Sequence, residues 1–123
     1  MRFKIPRNTE KYEWTQHAII KMRHYGLTAQ RILRVVKNPQ RVEEGVAVNT
    51  IAVMQPASTR VKNGKRTWSS EIWAMYQIKG KSKIEERKNF GTPRIRLISA
   101  WRYPGVSPKR NPIPDDILRE LDI

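Results

Sequence analysis

Two histidines and a lysine fall close together near the start of the chain. His17, Lys21 and His24 are spaced by four and then three residues, so on a helix turning 100° per residue they share a stripe about 60° wide. Ala18, Ile19, Met22 and Tyr25 form an adjoining apolar arc. Such a helix would bury the arc and present two imidazoles and an ammonium at its margin. An imidazole titrates at about pH 6.5 when unperturbed and can give or take a proton at neutral pH. An ammonium beside it favours negative charge on whatever is being transformed.

Metal hydrolysis suits these residues poorly. Seven residues of helix separate the two imidazoles by about 10.5 Å, too far to share one ion. There is no cysteine, and the acids fall mostly in adjacent pairs at 43/44, 85/86 and 115/116. No acid is spaced to orient either imidazole in a Ser-His-Asp arrangement. No glycine-rich phosphate loop follows a strand. We therefore expect neither a metal nor a cofactor. The chemistry that remains is metal-independent cleavage of RNA through its own 2′-hydroxyl. It needs a base, an acid, and cations around a pentavalent phosphorus. His17 and His24 fit the first two roles, while Lys21, Arg94, Arg96 and Arg102 fit the third. Tyr103, Tyr76 or Trp101 could stack on a base. The residues permit this mechanism without demanding it.

Bulk charge points to the same class of ligand. The 123 residues carry 25 Lys+Arg against 11 Asp+Glu, a net charge of +14, with an isoelectric point near 10.7. So large an imbalance costs self-repulsion and is best explained by a polyanion, nucleic acid first. An acidic protein partner is a second explanation, and it is compatible with RNA binding. Four Trp, four Tyr and 38% hydrophobic residues indicate one folded domain. No window approaches the roughly 18 apolar residues of a membrane span, and no signal-peptide run opens the chain. A cytoplasmic protein is expected.

The elements that must position these groups can be read in order. Residues 1–14 form an extended lead-in in which Tyr12 and Trp14 alternate around Glu13. Thr15 caps a helix running to Tyr25, and Gly26 stops it. Thr28 caps a second helix, with Leu27 and Ile32 as a hydrophobic staple, and Asn38-Pro39 ends it. Weak strands follow over 41–48 and 49–60, with Pro56 at a bulge or an edge. Asn63-Gly64 marks a type I′ hairpin tip. Thr67 to Ile78 is apolar on both faces and so central. Residues 79–93, with Lys79, Lys81 and Lys83, form a long cationic loop. Along Arg94 to Tyr103, alternation sets Ile95, Leu97, Ser99, Trp101 and Tyr103 on one face and Arg94, Arg96, Ile98, Ala100 and Arg102 on the other. Residues 104–114 read as a stiff Pro-rich tether. A short terminal helix follows, with Asp115 and Asp116 in its first turn.

Each candidate also has a plainer reading. His17 could simply pack at the start of its helix, and His24 could be a cation favoured by the helix C-terminus. The arginine row could pair with Glu71 or Glu43 across strands. Trp73 and Trp101 read as core, which leaves Tyr103 as the stacking candidate. The lysines at 79–88 read as a backbone clamp or a solvated face.

The segment His17-Ala18-x-x-Lys21-Met22-x-x-x-Gly26-Leu27-Thr28, followed by Asn38-Pro39 and Arg41-Val42-Glu43, resembles the start of a family of small domains of unknown function. That family is grouped with the RelE/ParE and BrnT-type toxins. The likeness covers about residues 14–45, with Ala100-Trp101-Arg102-Tyr103 a looser match. It implies an α+β, RelE-like domain over 1–123, with a core at about 12–103. Two N-terminal helices would pack on a twisted, mostly antiparallel sheet of about four strands, with a short C-terminal helix. It further implies a metal-independent endoribonuclease acting on mRNA, on or off the ribosome, and neutralised by an acidic antitoxin. In that frame His17, Lys21 and Arg102 are the catalytic set and should converge on one basic cleft. His24, Arg94, Arg96, Tyr103, Lys79, Lys81 and Lys83 would contact RNA. Lys21 departs from the commoner Arg of the motif. The competing classes are a nucleic-acid-binding or ribosome-associated module without catalysis, and a basic protein that binds an acidic partner.

Overall fold

Both N-terminal helices begin at a threonine and are held apart by a glycine. Thr15 lies in extended backbone and its hydroxyl accepts the Ala18 amide, which opens helix α1 (Gln16–Tyr25). Gly26 adopts φ 69° and ψ 37°, donating to the Arg23 carbonyl, while the Leu27 amide reaches the Met22 carbonyl. This pair of bonds needs a left-handed residue, which glycine adopts without steric cost. Thr28 then caps helix α2 (Ala29–Lys37) through the Arg31 amide. Leu27 and Ile32 are both buried, as the staple requires.

The computed structural model describes residues 3–45, 49–79, 94–108 and 113–120. Lys81 and Lys83, with the rest of the expected cationic loop, lie outside the described residues. So do positions 46–48 at the end of the first expected strand, part of the Pro-rich segment, and the side chain of Lys79. Among the described residues the chain is a mixed α+β fold. Three helices accompany a five-stranded sheet of order β1-β5-β4-β3-β2. The strands are β1 (Tyr12–Trp14), β2 (Arg41–Glu44), β3 (Thr50–Lys62), β4 (Lys65–Lys79) and β5 (Arg94–Pro104), and helix α3 spans Asp115–Glu120. Strand β1 joins β5 in parallel, and the other pairings are antiparallel. The extended lead-in thus supplies a fifth strand, where about four were expected. The β3–β4 hairpin turns on Asn63 (φ 52°) and Gly64 (φ 77°), the paired positive dihedrals of a type I′ turn. Pro56 lies beyond the part of β3 that β2 covers, an edge position that needs no donor.

Apolar residues on the two faces of the sheet form two cores. Ala18, Met22, Leu27, Ile32 and Val35 of the helical hairpin pack with Trp14, Val53, Ile72, Ala74, Leu97 and Ala100. On the other face Met54, Trp73, Met75 and Trp101 are covered by Ile113 and Ile117. Strand β4 serves both cores, as its two apolar faces predicted. Trp73 and Trp101 are directly paired across strands and stack with centroids 5.8 Å apart at 6°. Tyr25 packs against both clusters, so α1 sits at the edge of the sheet, beside the stretch of β5 that β1 does not pair.

The expected alternation along β5 fails at one place. Tyr76 pairs with Leu97 but Met75 pairs with Ser99, so Ile98 is an extra residue, and every side chain beyond it changes face. Ile95, Leu97, Ala100 and Arg102 therefore share the α1/α2 face. Arg94 and Arg96 lie on the opposite face with Ser99, Trp101 and Tyr103. The single row of arginines does not exist.

On the second face Glu71 is wholly buried. Its carboxylate accepts Trp68 Nε1 at 2.9 Å, Trp73 Nε1 at 3.0 Å and Ser107 Oγ at 2.5 Å. Arg41 stands 3.9 Å away, lies 5.1 Å over the Trp73 ring, and donates to the carbonyls of Ser107 and Pro108. Residues 104–108 are thus fastened to the sheet. A buried carboxylate that loses an acceptor oxygen leaves its donors unsatisfied. We expect Glu71→Gln to lower unfolding free energy by about 2–4 kcal/mol, read as a shifted urea midpoint. An unchanged midpoint would show that the three donors find other acceptors.

Candidate functional site

Helix α1 presents His17, Lys21 and Tyr25 at i, i+4 and i+8, one row along its surface. Facing this row is α3, with Asp116 and Glu120 at i and i+4. Lys21 Nζ lies 3.0 Å from Asp116 Oδ2 and 2.8 Å from Glu120, and Tyr25 Oη donates to Asp116 Oδ2 at 3.1 Å. The Lys21 side chain is only 7% exposed. Burial disfavours its charge, but the hydrogen bonds it donates to Glu120 and Asp116 win and raise its pKa above the ordinary value. Asp116 is lowered by the same logic. Burial acts to raise it and is outweighed by the bonds from Lys21 and Tyr25. The Tyr25 hydroxyl is raised, first by burial and then by Asp116.

His17 is half-buried with both ring nitrogens engaged. Nε2 stands 2.9 Å from Ser99 Oγ and Nδ1 stands 3.7 Å from Glu120 Oε2. Its pKa falls below the ordinary 6.5. Burial is the main cause, with Glu120 and Asp116 opposing it and Lys21 adding to it. Serine, imidazole and carboxylate thus stand in the order of a nucleophilic triad. Yet Ser99 has no exposed surface and Glu120 is already bound to Lys21, so in this conformation the serine hydroxyl reaches no substrate. Sequence spacing could not reveal this constellation, because its members come from helix, strand bulge and terminal helix, with His17 more than eighty residues from the other two.

The remaining expected site residues disperse. Arg102 lies across the sheet from this row, on the α1/α2 face, and does not converge with His17 and Lys21; the Ile98 bulge is the cause. Arg94 and Arg96 both engage Glu13, at 3.7 Å and 2.5 Å. This fits the plainer pairing reading of the row, with Glu13 in place of the Glu71 or Glu43 expected. Tyr103 is half-buried against the second core, while Trp73 and Trp101 are fully buried core residues. His24 is exposed in the last turn of α1 and meets the Tyr25 ring edge-on at 4.8 Å. Among the described residues no group of three His, Cys, Asp or Glu side chains is placed to hold a metal ion, and no helix is long and apolar enough to cross a membrane. No family model, curated protein or solved structure matches the chain.

Two cationic features were not singled out in the sequence. One is the outer part of the β3–β4 hairpin. The other is Arg31 and Arg34 of α2, which join Arg102. A tally of charges misses both, because each depends on which acids are within reach.

Two outcomes follow from the α1–α3 contact. Removing its acids in Asp116→Asn/Glu120→Gln strands a buried ammonium and should cost about 1–3 kcal/mol in chemical denaturation, whereas Lys21→Met removes charge and need together and should stay within about 1 kcal/mol of the native chain. The second concerns pH. Because the folded pKa of His17 lies below 6.5, the unfolded chain binds the proton more readily. The His17 contribution is complete above 6.5 and is lost as pH falls below it; that of Asp116 is lost only at still lower pH, through a folded value below 3.8. Calorimetric melting temperatures between about pH 4 and 8 should fall on acidification, and His17→Gln should flatten the limb just below 6.5. An identical slope in that variant would refute the assignment.

Proposed function

We propose that this protein binds RNA in the cytoplasm through phosphate contacts, on a RelE-like arrangement of two helices against a sheet. The relation to RelE/ParE and BrnT-type toxins is part of the same proposal. The observation that carries it is the location of the acids. Glu13, Glu43, Asp116 and Glu120 are bound to arginine or lysine, and Glu71 is sealed beneath Trp68, Trp73 and Ser107. With these carboxylates tied up in internal pairs, the described acids left exposed are Glu10, Glu44 and Asp115, and cations outnumber them on the surface.

Among the described residues, exposed cations cluster on the β3–β4 hairpin. Strand β2 pairs β3 only over Ile51–Met54, and β5 pairs β4 only over Ser70–Lys79. The pairs from Thr59↔Trp68 to Lys62↔Lys65 therefore form a two-stranded ribbon beyond the sheet, about 13 Å long. Residues 58–67 are all exposed and include Arg60, Lys62, Lys65 and Arg66 with no acid. By alternation Arg60, Lys62 and Lys65 project from one face and Arg66 from the other. This is a contact surface for phosphates and carries no exposed aromatic for stacking.

Cleavage is a second reading, favoured by one observation: burial keeps His17 neutral, the form a general base requires. It needs His17 to be released from Ser99 and Glu120. Incubation with RNA in EDTA, followed by analysis of ends, tests it; 2′,3′-cyclic phosphates that vanish in His17→Ala would assign the imidazole. An acidic protein partner competes for the same cations, and polyglutamate binding as tightly as RNA would favour that class.

For binding itself, the expected result is a steep salt dependence for single-stranded RNA, at about 0.7 per phosphate contacted. Replacing Arg60, Lys62, Lys65 and Arg66 together by Gln should lower the slope by about 3 and weaken binding by about 100-fold at 0.1 M salt. A slope unchanged by the four substitutions would exclude the ribbon as the contact surface.

A further inference from the structure

A second cationic group lies at the base of the ribbon, on the face covered by α2. Gln55, Ile72 and Arg102 are direct neighbours across β3, β4 and β5, which sets the backbones of Gln55 and Arg102 about 10 Å apart. Ile72 between them is 3% exposed and forms an apolar floor. From above, Arg31 Nη1 donates to Gln55 Oε1 at 2.5 Å. Gln55 is in turn fixed from its other end, its amide donating to the carbonyls of Arg34 at 3.2 Å and Asn38 at 2.8 Å. One glutamine side chain therefore locks the C-terminal half of α2 to the sheet and orients the Arg31 fork.

Arg31 is half-buried, and its pKa is lowered by burial and then by Arg34 and Arg102; among the described residues no carboxylate acts on it. Among the described residues neither Arg34 nor Arg102 has a carboxylate partner. Like charges held together in a partly desolvated place oppose folding, and in a chain that pairs Arg41, Arg94, Arg96 and Lys21 with acids, three arginines left together point to a ligand. A guanidinium fork matches the oxygens of a phosphate two at a time, which an ammonium cannot do.

We propose that Arg31, oriented by Gln55, forms with Arg34 on the same helix and Arg102 on the neighbouring strand a phosphate-binding site that takes a backbone phosphodiester of bound RNA where the strand leaves the ribbon. The ligand assignment rests on the RNA-binding reading; the phosphate chemistry does not. Bound anion neutralises the cluster, so the site is stabilised by its ligand and strained without it. Arg102 thereby becomes a binding residue at a site separate from His17.

Two measurements on the full chain test this. Inorganic phosphate titrated against the arginine side-chain Nε–H resonances should shift those of Arg31, Arg34 and Arg102 saturably, and Arg102→Lys should weaken that binding about tenfold. Arg34→Ala and Arg102→Ala should each lower affinity for single-stranded RNA about 5- to 10-fold and the salt slope by about 0.7, while Lys11→Ala, an exposed cation elsewhere, changes neither RNA affinity nor phosphate binding. Melting temperature should hold or rise in both arginine variants, because repulsion is relieved; a merely structural role would lower it. Phosphate that leaves these resonances unmoved, or RNA affinity that falls no further than in Lys11→Ala, would overturn the site. Should phosphate bind the cluster while RNA does not bind the protein at all, the site stands and the RNA reading falls; should RNA bind with ribbon dependence while the arginine variants are neutral, the reverse holds.

Discussion

Which groups can meet in this protein is decided by the pairing of Tyr76 with Leu97 and of Met75 with Ser99. The residue left over, Ile98, reverses the facing of everything after it. Ser99 is thereby turned towards His17, Trp101 towards Trp73, and Arg102 towards α2. A regular strand would have kept Arg102 with Arg94 and Arg96 and put Trp101 with Leu97. The second core would have lost its largest pair, and α3 would have had Trp73 without Trp101 to cover. The bulge thus sets two cores and two polar clusters at once, with the fold between them.

The second organising constraint is the unequal supply of charge. With so few acids, each one's location decides what the surface presents. Those described at Glu13, Glu43, Glu71, Asp116 and Glu120 tie strand to strand, the 104–108 segment to the sheet, and α3 to α1. Charge that looks like surplus in the composition is, in three dimensions, a division of labour. Paired cations hold elements together, while those on the hairpin and around Arg31 have no carboxylate partner among the described residues. Lys21 shows the boundary between the two uses: on a bare α1 it would belong to the outward set, and two carboxylates from α3 move it inward.

Local signals made much of the fold legible. Thr15, Gly26, Thr28 and Asn38 bound the helices because capping and the left-handed stop are chemistry of a few neighbouring atoms. Asn63-Gly64 marks the hairpin for the same reason, and the two-faced apolarity of residues 67–78 placed β4 centrally. What stayed hidden is long-range. Strand β1 is three residues long, and its partner lies some eighty positions away, with no turn between them to announce the pairing. The Ile98 bulge has no glycine to betray it. The contact of α3 with α1 joins residues more than 90 apart, so a His-Lys stripe that looked open for chemistry is closed by acids that read only as favourable to their own helix. The Arg31–Arg34–Arg102 group was hidden because its members are spread over α2 and β5 and become a site only through Gln55.

The ribbon beyond the sheet has a bearing on solution behaviour as well as on binding. Both of its edges expose backbone donors and acceptors over the stretch where neither β2 nor β5 covers it, and Val61 there is 76% exposed. Such edges invite strand-to-strand pairing between copies, and side-chain charge is a common safeguard against it. Here Arg60, Lys62, Lys65 and Arg66 supply that safeguard through mutual repulsion. A polyanion laid along the ribbon, as proposed, would cancel the repulsion while leaving the edges open, so the same charges that would bind a ligand also govern whether copies pair.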